Sequence, residues 1–122
     1  MIRKLGREAL LTILFVLVTV SLTHGQTING NITGSIVDQQ GATLPGATVT
    51  ATNAETGFSR TTTTNDDGAY RISGLPVGIY NIRTEKVGFA PILNAGVQVN
   101  VGTDTELRVE LGAGSVEATV EV

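Results

Sequence analysis

The sequence predicts an all-β protein, a seven-stranded antiparallel β-sandwich preceded by a signal-peptide helix. Three observations carry this expectation. Beyond residue 25, apolar residues never keep the three-to-four spacing of an amphipathic helix. The same stretch is rich in threonine, valine, isoleucine and glycine, which suit a pleated chain and its turns. Turn signals recur every eight to twelve residues, the interval expected of short sandwich strands.

The N-terminus is read first because it is expected to be removed. Arg3, Lys4 and Arg7 precede an apolar run from Leu10 to Leu22, and short polar residues follow. That order is a secretory signal peptide, with cleavage expected after Gly25. The run is thirteen residues, too short for a bilayer-spanning helix of roughly 20. The domain organisation is therefore a signal peptide over residues 1–25, a β-sandwich over 26–111, and a linker with a terminal strand over 112–122. With no cysteine in the chain, a lipoprotein anchor and disulfide staples are both excluded. The core alone must stabilise the mature domain.

Each strand follows from local pattern. The first spans Asn31 to Asp38, with Ile32, Gly34 and Ile36 on one face. Gly41, Pro45 and Gly46 then break the chain into turns. In ATVTATN, Ala47, Val49 and Ala51 alternate with Thr48, Thr50 and Thr52, one buried face and one wet face. After a turn at Glu55 to Gly57, FSRTTTT reads as extended because branching at Cβ suits the pleat. Asn65-Asp66-Asp67-Gly68 reads as a hairpin turn. The fourth strand is expected at Ala69–Ile72 and the fifth at Ile79–Lys86. Two more are expected near Ile92–Val101 and Thr105–Leu111, the last with Leu107, Val109 and Leu111 two apart. Phe58, Tyr70, Tyr80 and Phe89 mostly read as core.

One stretch carries a specific pattern: Asp67-Gly68-x-Tyr70-x-Ile72-x-x-Leu75-x-x-Gly78-x-Tyr80-x-Ile82, then Gly88-Phe89. Upstream lie Gly34-x-Ile36-x-Asp38 and Leu44-Pro45-Gly46-Ala47-x-Val49. Over residues 30 to 111 this resembles the carboxypeptidase regulatory-like domain, a transthyretin-like sandwich. The order of signal peptide, this domain and the exit GAGSVEATVEV is similar to the N-terminal extension of bacterial TonB-dependent outer-membrane receptors. In those a plug and a transmembrane barrel follow, which 122 residues do not hold. The resemblance implies a periplasmic or outer-membrane-associated protein. Its partner would be a protein of the cell envelope, either the receptor's plug and barrel or a periplasmic coupling protein. Related folds bind polysaccharide, so a carbohydrate-binding module is the alternative.

Chemistry is sparse. The single histidine, His24, falls at the cleavage region, so no nucleophile–histidine pair is available. No catalytic, cofactor-binding or metal-ligating residues are assigned. Asp66 and Asp67, with Asp38 or Asp104, are the best candidates for calcium oxygen ligands, but NDDG lacks the alternating acidic spacing of a calcium loop. From Gln26 onward there are five basic and ten acidic residues, without the positive patch that nucleic acid requires. The motif residues Asp67, Gly68, Tyr70, Ile72, Leu75, Gly78, Tyr80, Ile82, Gly88 and Phe89 are expected to be structural. In the tail, Val116, Ala118, Val120 and Val122 alternate with polar residues, the pattern of a strand able to add to a partner's sheet. A plain additional strand or a frayed linker is the simpler expectation.

Overall fold

The structure is a computed structural model that describes residues 2–20 and 28–122. It opens with helix α1 (Ile2–Val20), and no helix among the described residues is long and apolar enough to cross a membrane. The expected cut after Gly25 lies outside the described residues.

Nine strands follow: β1 (Asn29–Asp38), β2 (Thr48–Asn53), β3 (Ser59–Thr63), β4 (Ala69–Pro76), β5 (Gly78–Glu85), β6 (Ile92–Val99), β7 (Asp104–Glu106), β8 (Val109–Leu111) and β9 (Ala118–Glu121). They form two sheets. One runs β4-β1-β7, with β8 also on β1, and the other runs β3-β2-β5-β6-β9. The fold is an all-β sandwich.

Three details differ from expectation. The strands among the described residues number nine rather than seven. The last expected strand is divided into β7 and β8, and the tail supplies β9. The division is local, because Asn31↔Asp104 through Asp38↔Leu111 keep one register on both sides of Leu107–Arg108. The sheets are also mixed: β7 and β8 run parallel to β1, and β9 runs parallel to β6. Finally, Asn65 to Gly68 do not close a hairpin within one sheet. β3 and β4 lie in different sheets, so this turn carries the chain across the sandwich. Val77 alone does the same between β4 and β5, and β4 itself continues to Pro76, four residues past its expected end.

Alternation explains the core. Ile32 and Ile36 of β1, Tyr70, Ile72 and Leu75 of β4, and Val109 and Leu111 of β8 face inward from one sheet. Val49 and Ala51 of β2, Tyr80 and Ile82 of β5, and Val97 and Val99 of β6 face them from the other. Apart from the two tyrosines these residues are small or branched, and the two layers interdigitate at the density that protein interiors require. Thr48, Thr50 and Thr52 stay on the outer face, where Thr50 and Thr61 hydroxyls lie 3.2 Å apart across β2 and β3.

Candidate functional site

Of the motif residues, Tyr70, Ile72, Leu75, Tyr80 and Ile82 lie in the core, and Asp67, Gly68, Gly78 and Gly88 lie in or beside the turns around them. Asn65 closes its turn by accepting, at Oδ1, from the amides of Asp67 and Ala69, each at 3.0 Å. Gly68 has φ of 71°, and a Cβ there would lie 2.9 Å from the Ile36 carbonyl oxygen and the Thr43 Cβ. Only glycine combines that conformation with so close an approach. Asp67 is exposed on the turn.

Tyr70 then enters the core, 5 % exposed, and its hydroxyl donates to the Leu107 carbonyl at 2.7 Å. Burial pushes this phenol well above its ordinary range. Gly34, opposite Tyr70 in the β1–β4 register, is what makes room. A Cβ on Gly34 would lie 1.8 Å from the Leu107 carbonyl oxygen. Leu107 is held there because its amide donates to the Thr33 carbonyl at 2.8 Å. Tyr80 is wholly buried and its hydroxyl donates back to the Pro76 carbonyl at 2.6 Å. A tyrosine bonded to backbone a few residues upstream pins the corner where the chain changes sheet. Both rings thus bury their apolar bodies and satisfy their polar ends.

Ile72, Leu75 and Ile82 fill the interior beside them. Gly78 passes Asn53, whose Nδ2 would lie 2.8 Å from an added Cβ. Gly88 turns at φ of 87° with nothing near its Cβ position, and Phe89 packs on the core's margin. Phe58 departs from its expected place in the core. It is 36 % exposed, and the Arg60 guanidinium lies 5.8 Å from its ring centroid. The reason is position: Phe58 precedes edge strand β3, none of whose residues is buried. It is the only exposed aromatic residue of the sandwich, so the two flat rings of a sugar platform are not assembled among the described residues.

Several charged groups of the surface are engaged, some with one another and some with backbone. Asp104 accepts from Asn31 Nδ2 at 2.8 Å and pairs with Arg71. Those two contacts, the asparagine bond first, hold its carboxyl below the usual range. Asp38 accepts from the amides of Gln40 and Ala42 in its own loop. Asp38 and Asp104 are therefore occupied apart from Asp66 and Asp67, and no cluster of three or more metal-ligating residues exists among the described residues. A hollow of about 330 Å³ lies at one sheet end, lined by Gly46, Thr48, Glu85, Lys86, Val87 and Pro91. Lys86 Nζ there donates to the Pro45 carbonyl at 2.7 Å. Lys86 lies just past β5, not within it.

Sequence reasoning named Leu107 only as one of an alternating set, without its bond to Tyr70, and did not single out Arg60 or Arg83. Arg60 joins the two sheets by donating to the Ser73 carbonyl at 2.7 Å, and Arg83 ties the tail to β5 through Glu117 at 3.0 Å. Long-range partners of exposed arginines leave no local signal. Gly34 did leave one, since glycine inside a strand marks a close approach.

Residues 31–112 match the carboxypeptidase regulatory-like domain family. The chain belongs to that family. Consistent with this carboxypeptidase regulatory-like domain, the chain is 31% identical over 112 residues to the TonB-dependent transporter Oar of Myxococcus xanthus. That alignment takes in 88% of this chain and 10% of the relative, so the chain spans about a tenth of the transporter's length. Among solved structures, the TIE protein of Bacillus anthracis superposes with a TM-score of 0.57 at 21% identity, over 70% of this chain and 17% of its own. A Bacteroides uniformis protein described as carbohydrate binding superposes at 0.55 with 23% identity, over 66% and 40%. These two likenesses show the sandwich fold and nothing finer. The family is a regulatory-like β-sandwich rather than a catalytic one.

Proposed function

We propose that this chain is an exported, non-enzymatic accessory module of the cell envelope that recognises a protein partner in outer-membrane transport. Residues 1–25 act as its signal peptide in this reading. The observation that carries it is the identity with a TonB-dependent transporter across 88% of the chain. The geometry agrees with a scaffold. Aliphatic side chains and two bonded tyrosines fill the interior, so binding falls to faces, edges and loops.

The test is fractionation of a Gram-negative host expressing the whole chain with a C-terminal tag. The expected product begins at Gln26, by mass spectrometry, and is recovered outside the cytoplasm. Purified in that form, it binds the plug and barrel of a transporter of this type, or the periplasmic coupling protein, saturably. Retention of residues 1–25 in a cytoplasmic product overturns the export part. Absence of binding to either envelope partner overturns the recognition part. The carbohydrate alternative draws on the fold alone, and with Phe58 as the one exposed ring of the sandwich the product beginning at Gln26 is expected to migrate unretarded on polysaccharide gels.

A further inference from the structure

The tail strand is the least committed element of the sandwich. All four residues of β9 are exposed, and Val116 and Val122 beside it are exposed as well. It therefore gains little from apolar burial. It is held by backbone bonds, among them Ala118 N–H to the Pro91 carbonyl at 3.0 Å and Val122 N–H to the Ala95 carbonyl at 2.8 Å. It also runs parallel, in a sheet whose other pairs are antiparallel, and parallel pairing is slightly weaker per residue. Ordering an extended segment consumes a free energy of the same order as its hydrogen bonds return.

The one side-chain anchor is also replaceable. Arg83 donates from Nε and Nη2 to Glu117 Oε2 at 3.2 and 3.0 Å, yet it is paired with Glu85 too. When Glu117 leaves, Arg83 keeps a carboxylate partner. An incoming strand with an acid at the same position recovers the second pairing.

A third feature shows that the resident strand fits imperfectly. Asn94 lies on β6 directly opposite Val120, on the face that turns toward the core. Asn94 is 7 % exposed, and its buried Oδ1 has no hydrogen-bond partner. Valine has nothing to offer it. A hydroxyl at the Val120 position would.

We propose that the β6 edge is a strand-docking site, that β9 occupies it as an exchangeable resident, and that its partner is an extended acidic-aliphatic segment. That segment runs parallel to β6, with a carboxylate at the Glu117 position and a hydroxyl at the Val120 position. This deepens the recognition role proposed above and rests on it. The backbone supplies affinity and the two side chains supply choice, as in other strand additions.

The probe is a fluorescein-labelled peptide of residues 115–122, Ser-Val-Glu-Ala-Thr-Val-Glu-Val, added to the purified full chain and followed by anisotropy. Saturable binding is expected, about five-fold tighter for the peptide carrying Val120→Thr, the factor that one added hydrogen bond supplies. A Leu93→Cys/Thr119→Cys chain, oxidised to lock β9 onto β6, is expected not to bind until reduced. The chain has no other cysteine to interfere. As a second variant needing no crosslink, Val120→Pro in the chain removes the central β9 amide, and the peptide is expected to bind it more tightly than wild type. Equal binding to locked and unlocked chains places the peptide elsewhere and overturns the proposal. So does no binding to the Val120→Pro chain, or no preference for the hydroxyl peptide. Concentration-dependent dimers abolished by the lock would make a second copy the occupant and overturn the partner assignment. Because these assays use purified components, they can fail while the envelope assays succeed, and the reverse.

Discussion

Replacing Gly34 by alanine is expected to be the most damaging single-methyl change in the sandwich. Gly34 does not have positive φ, so conformational strain plays no part and only space is at issue. The new Cβ would lie 1.8 Å from the Leu107 carbonyl oxygen and 2.7 Å from its carbon. Backbone cannot swing aside as a long side chain does, so Leu107 must withdraw from β1. Withdrawal breaks the Leu107 amide bond to Thr33 and the Tyr70 hydroxyl bond to Leu107. At about 1 kcal/mol net for each, and about 1–2 kcal/mol more for Leu107 packing lost at the core's margin, the change costs about 3–4 kcal/mol. For a domain near 100 residues that corresponds to a fall in Tm of roughly 12–30 °C. Urea and thermal unfolding followed by circular dichroism provide the measurement. Gly112→Ala serves as the control, because its Cβ meets only the movable Gln39 side chain and φ is again not positive. It is expected to change stability by less than about 0.5 kcal/mol. A Gly34→Ala chain within about 1 kcal/mol of wild type would refute the claim that Tyr70, Gly34 and Leu107 form one constrained unit.

Other expectations follow from single groups. Thr84 is wholly buried and its Oγ1 has no partner, so the isosteric Thr84→Val is expected to leave stability unchanged or raise it by about 1 kcal/mol in urea unfolding. A loss above about 1 kcal/mol would show that the hydroxyl is satisfied in solution. Burial raises the Tyr70 phenol, so the folded state takes up its proton more tightly than the unfolded chain. The stability it contributes is complete below about pH 10 and declines as pH rises beyond that. Tyr70→Phe is expected to flatten this alkaline decline at the cost of the Leu107 bond, and an unchanged slope counts against the burial argument. The Asp104 carboxyl is held low by Asn31 and then Arg71. Its contribution is present above the ordinary carboxylate range and disappears as pH falls through the lowered value. Acid titration of Asp104→Asn is expected to show a shallower loss in that window than wild type.

Much of the architecture was legible from neighbouring residues. Strict alternation in Ala47-x-Val49-x-Ala51 marks a half-buried strand wherever it occurs, and the structure buries all three. Asn65 to Gly68 announces a turn because its bonds are made within its own few residues. Tyr70 and Tyr80, two residues from Ile72 and Ile82, were readable as inward-facing for the same reason. The surface that we assign to strand docking was legible only as an alternating tail, without its seat.

What the sequence by itself determined, then, is where the chain is extended, where it turns and which side chains share a face. Tertiary structure decided which strands meet. A strand's period of two names its buried face but not its neighbour, so nothing local foretold that β7, β8 and β9 would run parallel to theirs. The same holds for the turn at Asn65 to Gly68, which joins two sheets instead of two neighbours in one. Phe58 came to lie outside because β3 closes an edge, and edges exist only once a sheet is assembled. Gly34 is required by a carbonyl more than seventy residues away along the chain. Such contacts depend on chain closure over long separations, and no local pattern records them.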